Sequence, residues 1–183
     1  MDKQKGQTMN DELSSDSQCE LNADPRRNYI KIDHIAIAVR NLDVAVDFFT
    51  QILGFSLTRR LTTRGQRTGM ISAEMEHKGI KFVLCQGTEP ESQVSKLISN
   101  YGPGVAHIAL EVTDVVGIVD DLSGRGLSFD TSVIQGPGLT QAFSSRCTNS
   151  GLSFEFINRN AESGFLESNV QQLFDQLEKS GAY

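Results

Sequence analysis

The sequence has no tryptophan, three cysteines, three histidines and no basic run. An odd number of widely spaced cysteines, Cys19, Cys85 and Cys147, favours neither a disulfide framework nor a zinc knuckle, so we expect reduced thiols. The formal net charge is -6, and without a basic patch the chain lacks the surface that binds nucleic acid. No apolar run approaches the roughly 20 residues of a membrane-spanning helix. The sequence therefore predicts a protein that binds neither nucleic acid nor membrane.

The first 28 residues are rich in Asp, Glu, Ser, Asn and Gln and show no hydrophobic periodicity. Such a segment cannot offset its ordering entropy by burial, so residues 1–28 are predicted to be a disordered acidic arm. The arm also lacks the apolar centre of a signal peptide, which predicts a cytoplasmic protein.

Alternating and helical hydrophobic patterns begin at Lys31. They predict first a strand, a helix and three strands at 31–39, 42–53, 55–62, 68–76 and 80–86. After a short helix within 91–102, the same order is predicted at 104–112, 114–124, 128–134, 139–145 and 152–158. Asn41 can cap the first of the two long helices, and Thr113 or Asp114 can cap the second.

An internal duplication explains this recurrence. The segments DHIAIAVRNLDVAVDFF and AHIALEVTDVVGIVDDL align without a gap from their histidines onward. Two βαβββ modules, at about 30–88 and 103–159, are therefore predicted to form one unit over residues 29–159, and His34 and His107 are equivalent residues of these modules.

Side-chain alternation places the two histidines on a hollow face. Ile35, Ile37 and Val39 share one face of the first strand, whereas His34 lies with two alanines on the other face. Large branched residues suit packing beneath a helix, and small ones beside a histidine leave room. We therefore expect a cavity with imidazoles on its wall.

Glu155 is a third candidate, because it lies between two phenylalanines in the last strand, GLSFEFINR, where an unpaired carboxylate would be costly to bury. Two imidazoles and one carboxylate are the ligand set of the facial triad that binds non-haem Fe(II). His34, His107 and Glu155 are thus the predicted metal ligands. His77, in the turn-like EHKG, is predicted to be a solvated hairpin residue.

These motifs resemble the vicinal oxygen chelate (glyoxalase/dioxygenase) superfamily, over about residues 30–159. The resemblance implies an α+β fold in which the two βαβββ modules form one open mixed β-barrel, with a C-terminal helix beside it. It also implies a divalent metal held by the three residues already named. Some branches use a fourth protein ligand, at a position that we assign here to Phe82.

Within the superfamily, LTQAFSS and GFLESNVQQLFDQLE are similar to segments of 4-hydroxyphenylpyruvate dioxygenase. The similarity implies that Gln141 and Phe143 contact the substrate, and that residues 160–183 form a lid helix with Phe165, Asn169 and Phe174 over the site. Supporting roles are expected for Gln93 and Asn158. One departure is Val170, which stands where that enzyme has a second stacking phenylalanine, so a smaller or non-aromatic substrate is expected.

The resemblance favours an Fe(II)-dependent dioxygenase that decarboxylates a 2-oxo acid with O2 and hydroxylates the product. One alternative is a metal-dependent isomerase, epimerase or lyase of the glyoxalase and methylmalonyl-CoA epimerase type, for which Glu74 is the candidate base. Another is a metal-free ligand-binding resistance protein. The sequence leaves the oligomeric state open, a homodimer included.

Overall fold

Eight strands and four helices occur in the part of the chain that the computed structural model describes, residues 28–136, 138–159 and 167–180. The strands are β1 Tyr29–Ala38, β2 Ser56–Arg64, β3 Gly69–His77, β4 Ile80–Gly87, β5 Gly104–Val112, β6 Ile134–Gly136, β7 Leu139–Phe143 and β8 Phe154–Arg159. The helices are α1 Leu42–Asp47, α2 Gln93–Tyr101, α3 Val115–Gly124 and α4 Glu167–Ser180. The predicted arm lies outside the described residues, except for Asn28.

Local signals place the ends of these elements. The side chains of Asn41 and Asp114 accept hydrogen bonds from the backbone N–H groups of Val44 and Gly117, both at 3.0 Å, and so cap α1 and α3 as predicted. Helix α1 is continued by a π-helical turn over Phe48–Ile52. Among the helices of the described residues, none is long and apolar enough to span a membrane.

One predicted strand is largely wrong. Of the segment at 128–134, only a bridge from Phe129 to Ser144 and the start of β6 pair with a neighbouring strand. Side chains take the place of the missing ladder, because Thr131 Oγ1 accepts from the backbone N–H of Phe143 and Asp130 accepts from the hydroxyl of Ser145. These contacts hold the segment against β7 and the residues after it without a regular strand ladder.

The eight strands form one mixed sheet in the order β2-β3-β4-β1-β5-β8-β7-β6. Strands β1 and β5 run antiparallel at its centre, β4 lies parallel to β1, and β8 lies parallel to β5. The two modules are thus related by a pseudo-twofold axis between β1 and β5, as expected from the duplication. This is the α+β arrangement of an open, half-closed barrel that the sequence predicts.

Each module packs its own helix on the convex face of the sheet. Leu42 and Val46 of α1 pack on Met75 and Leu84, while Val115 and Ile118 of α3 pack on Phe156 and neighbouring residues. Burial of these apolar side chains is the main stabilising term for such a domain. These two cores lie outside the curve of the sheet. On the concave face, Leu97 of α2 packs on Ala36, Ala38 and Ala106, so α2 partly fills the hollow that was predicted beside the alanines.

Helix α4 spans the open side of the sheet, between the two edge strands. Gln171 donates to the carbonyl of Arg64 at the end of β2, and Gln176 accepts from the backbone and hydroxyl of Ser132 just before β6. Val170 and Phe174 are buried. The helix therefore covers the concave face, where the predicted lid would lie.

Candidate metal centre

Three strands bring the predicted ligand side chains together on the concave face. His34 Nε2 lies 3.3 Å from Glu155 Oε2, His107 Nε2 lies 3.4 Å from the same oxygen, and the two Nε2 atoms are 3.4 Å apart. Among the described residues, this trio forms a group whose ligand atoms are close enough to share one ion. The histidines come from β1 and β5 and the carboxylate from β8, so the pseudo-twofold axis creates the cluster.

The residues fit a bound cation. Glu155 is 1% exposed, and its Oε1 atom is buried without a hydrogen-bond partner, although an unpaired buried carboxylate is costly. Burial lowers the pKa of His107, partly opposed by Glu155, so a neutral imidazole with a free lone pair is favoured. Two imidazoles and a carboxylate are a ligand set for Fe(II) and other first-row divalent metals.

Behind His34 lies a contact that sequence reasoning missed. Asp33 accepts a hydrogen bond from His34 Nδ1 at 2.9 Å and two from Arg159, at 2.7 and 2.8 Å. Burial alone would raise the pKa of Asp33, but the bonds and charge of Arg159 and His34 outweigh burial and hold that pKa well below its usual range. The ionised Asp33 fixes the Nδ1–H tautomer and turns Nε2 towards the other two side chains.

The sequence did contain a signal for this contact. Asp33 directly precedes the first histidine in DHI, and Arg159 ends the strand that carries Glu155. Because β1 and β8 both flank β5, a charged residue near the end of either strand can reach the other. Only the three-dimensional register shows that these two side chains pair.

The assignment of Phe82 to the fourth ligand position is wrong by one residue. Ala109 pairs with Glu155 in the second module, and the equivalent Ala36 pairs with Val83 in the first module. Phe82 points to the convex face, where its ring packs on those of Phe49 and Phe55 at 5.2 and 5.4 Å. Val83 therefore occupies the fourth position, which is still apolar.

A small cavity of about 60 Å³ opens beside the three predicted ligands. Gln141 and Phe143 lie on its wall, as do Val170 and Leu173 from α4. Gln141 is 1% exposed and Phe143 is 2% exposed, and the Phe143 ring meets the His107 ring edge-on at 5.0 Å. Both predicted substrate contacts thus face the space next to the metal ligands.

A second cavity of about 70 Å³ adjoins the first and shares Met70, Cys85, His107 and Phe143 with it. Gln93 and Phe174 line this part, and Gln93 Nε2 donates to the carbonyl of Phe174 at 3.4 Å. Burial raises the pKa of the Cys85 thiol to about 12, so this cysteine is an inert wall residue.

The other predicted contacts are placed differently. The Asn158 amide donates to the carbonyls of Val112 and Thr113, at 2.8 and 3.0 Å, and Asn158 lines none of these cavities, so the structure does not support its role near the substrate. Phe165 and the side chain of Asn169 lie outside the described residues. His77 ends β3 beside a two-residue turn and is exposed, as predicted.

Glu74, the candidate base of the alternative function, lines the cavity with His34 and Glu155. Its Oε1 atom is buried without a hydrogen-bond partner. Burial raises the pKa of Glu74 above its ordinary value, against the opposing charge of Arg59. A second carboxylate with a buried, unpaired oxygen atom thus faces the same space.

Comparison with known proteins agrees with this fold. The model of the Glyoxalase/Bleomycin resistance protein/Dioxygenase superfamily matches residues 31–148. A 4-hydroxyphenylpyruvate dioxygenase from Pseudomonas aeruginosa is 28% identical over an alignment of 185 positions, gaps included, and the alignment covers 81% of this chain and 52% of that enzyme. The chain spans about half the length of such curated relatives.

Two solved structures extend the comparison. A mutant of 4-hydroxymandelate synthase from Streptomyces coelicolor superposes with a TM-score of 0.75 at 23% identity, over 84% of this chain and 55% of that chain, which is a likeness of fold. Methylmalonyl-CoA epimerase from the same organism gives a TM-score of 0.62 at 25% identity, over 73% of this chain and 100% of that chain. The proteins similar to this chain thus include a dioxygenase and an epimerase.

Proposed function

Because this chain belongs to the Glyoxalase/Bleomycin resistance protein/Dioxygenase superfamily, we propose that it is an Fe(II)-dependent dioxygenase acting on a small 2-oxo acid. The observation that carries this proposal is the convergence of His34, His107 and Glu155 next to an apolar fourth position. Val83 offers no ligand atom, so the protein supplies three ligands and leaves the remaining sites of an ion to substrate and O2. Similarity to 4-hydroxyphenylpyruvate dioxygenase supports the choice of reaction.

In this proposal the iron, when bound, supplies the activation of O2 and the redox chemistry. His34, His107 and Glu155 hold it, and Asp33 orients His34. Gln141 orients the oxo acid by hydrogen bonding, since its amide is buried beside the ligands. The oxo acid is decarboxylated and its remaining fragment is hydroxylated.

Apolar side chains exclude water from the reaction. Phe143 contacts the substrate from β7, and Val170, Leu173 and Phe174 cover it from α4. Exclusion of water strengthens the polar contacts inside the site and limits side reactions of a reactive intermediate. Phe165 and Asn169 are further proposed members of this lid. We also propose that the protein is cytoplasmic and forms a homodimer.

Oxygen uptake tests the proposed function. Protein purified without chelator is analysed for metal, reconstituted with Fe(II) under anaerobic conditions, and mixed with O2 and a panel of 2-oxo acids. We expect O2 uptake matched by CO2 release for at least one acid, and loss of both in His34→Ala. His77→Ala, an exposed histidine outside the cavity, is the matched control. Absence of uptake across the panel in metal-loaded protein would contradict the proposal.

A metal-dependent isomerase or epimerase is the second candidate, because Glu74 faces the cavity that Glu155 and His34 also line. A carboxylate with a pKa raised by burial can serve as a general base. Such an enzyme would exchange a substrate proton with solvent without consuming O2. Exchange of the α-proton in deuterated water, followed by NMR with no oxygen uptake, would favour this candidate.

A further inference from the structure

The pseudo-twofold axis relates Glu74 to an equivalent residue on the opposite wall of the cavity. Phe143 pairs with Glu155 across β7 and β8, and Glu74 pairs with Val83 across β3 and β4. Because Val83 and Glu155 are themselves equivalent, Glu74 and Phe143 occupy equivalent positions in the two modules. One wall of the cavity therefore presents an aromatic ring and the other presents a carboxylate.

Glu74 also lies at the boundary between two cavities. It lines the inner cavity with His34 and Val83, and these three residues equally line an outer polar pocket of about 270 Å³. Its Oε1 atom nevertheless has no hydrogen-bond donor in the structure. A buried acceptor without a donor is rare in native proteins and indicates a ligand or a functional constraint.

We propose that Glu74 recognises a hydroxyl group on the substrate, at the end distant from the oxo acid. This inference rests on the proposed function and narrows its substrate class to small hydroxylated 2-oxo acids. The outer pocket balances three basic side chains against three acidic ones, namely Arg59, Lys81, Arg159, Asp33, Glu74 and Glu76. It therefore has no excess of negative charge that would favour an ammonium group, and a neutral donor is favoured. The carboxylate accepts the hydroxyl hydrogen bond through its unpaired oxygen.

The size of the inner space supports an aliphatic substrate. The two inner cavities, of about 60 and 70 Å³, are far smaller than the roughly 300 Å³ at the lower limit of pockets for drug-sized ligands. The α4 residues that line the inner cavity beside the metal ligands, Val170 and Leu173, are both aliphatic. A short aliphatic chain with one hydroxyl group fits the cavity volume and supplies the hydrogen-bond donor that Glu74 Oε1 lacks.

Binding measurements on matched ligands test this inference without turnover. The Co(II)-loaded protein is titrated anaerobically with 2-oxobutanoate and 4-hydroxy-2-oxobutanoate, and with phenylpyruvate and 4-hydroxyphenylpyruvate. Calorimetry and the visible Co(II) spectrum report binding. We expect the wild type to prefer 4-hydroxy-2-oxobutanoate over 2-oxobutanoate by about 10- to 100-fold, because the unhydroxylated acid leaves a buried acceptor unpaired.

Three variants identify the residue responsible. Glu74→Met should abolish the preference, whereas Glu74→Gln should retain part of it, because an amide oxygen still accepts a hydrogen bond. Glu76→Met is the matched control, since Glu76 lies two residues further along the same face and lines the outer pocket but not the inner cavity. It should leave the preference unchanged.

The outcomes separate this inference from the proposed function. Equal affinity of the wild type for both butanoates, or a preference that survives in Glu74→Met, would overturn the hydroxyl recognition and leave the dioxygenase proposal intact. Loss of the preference in Glu76→Met would also overturn it. If no acid of the panel binds to the metal-loaded wild type, the proposed function fails and the inference fails with it.

Discussion

Asp33 shows how one residue can govern a site to which it contributes no ligand. Its carboxylate joins His34 to Arg159, so the orientation of one proposed ligand depends on an ion pair between strands β1 and β8. Exposed ion pairs stabilise proteins little, but a pair buried beside a ligand also fixes a tautomer. The consequence should therefore be seen in metal affinity more than in the fold.

Replacement of Asp33 tests this role. Asp33→Asn should lower the affinity for Co(II) by about 10- to 100-fold, because the imidazole loses its charged acceptor. Asp33→Glu should recover part of the affinity. Calorimetric titration measures the change, and circular dichroism verifies that each variant is folded.

The matched control for this experiment is Asp43→Asn. Asp43 also pairs with an arginine, Arg60, at 2.7 Å, but on the exposed surface away from the cavity. The control should bind Co(II) like the wild type. Equal affinities for the two asparagine variants would show that Asp33 has no positioning role.

Glu74 should lower the free energy of unfolding by an amount that depends on pH. Its pKa is raised in the folded state by burial, against an ordinary value of 4.5, so the unfolded state releases the proton at lower pH than the folded state does. Relative to Glu74→Met, the free energy of unfolding of the metal-free wild type should therefore fall as pH rises from 4.5 through the raised pKa, and change no further above it. Urea unfolding at several pH values would measure this gap, which is the difference in free energy of unfolding between Glu74→Met and the wild type, and it should reach about 1 kcal/mol at pH 8. A gap that is constant with pH, or that closes as pH rises, would contradict this account.

At the scale of elements, Phe174 is the largest buried side chain by which α4 packs on the sheet, among the residues that the structure describes. Phe174 is 2% exposed and contributes to the cavity wall, whereas Gln172 on the same helix is exposed. Phe174→Ala should release α4 locally, because removal of a buried phenylalanine costs about 3–5 kcal/mol, and the remaining contacts of the helix are mainly side-chain hydrogen bonds at the two edges of the sheet. Hydrogen exchange of residues 170–176 should accelerate by at least about tenfold while β1 and β5 stay protected. The same acceleration in Gln172→Ala would argue against anchoring by Phe174.

Most elements were predictable from the sequence because strand alternation and helix caps act locally. Strand β5 and the caps at Asn41 and Asp114 follow directly from these patterns. The segment near 128–134 was not predictable, because side-chain contacts from Asp130 and Thr131 to β7 and the residues after it replace strand pairing there. Such contacts depend on residues distant in sequence, which periodicity cannot indicate.

At the scale of the whole molecule, the duplication predicted which residues meet but not their exact register. His34 and His107 converge because a pseudo-twofold axis makes β1 and β5 adjacent, and Glu155 follows from its burial in β8. The fourth position required the observed pairing of β1 with β4, since a shift of one residue exchanges the two faces of a strand. The pairing of Asp33 with Arg159, and the symmetry relation of Glu74 to Phe143, likewise emerge only when both modules are assembled.

The assembled molecule should be stabilised by the metal that its two modules hold in common. Without an ion, Glu155 keeps a buried oxygen atom unpaired. A ligand that binds only the folded state, at 100 times its Kd, stabilises by about 2.7 kcal/mol, which corresponds to a rise in Tm of roughly 5–10 °C for a chain of this size. Differential scanning calorimetry with Co(II) would measure this rise, which should vanish in His34→Ala and in His107→Ala and persist in His77→Ala. If the two cavity variants keep the rise in Tm, the ion binds elsewhere and the union of the two modules around a shared centre is refuted.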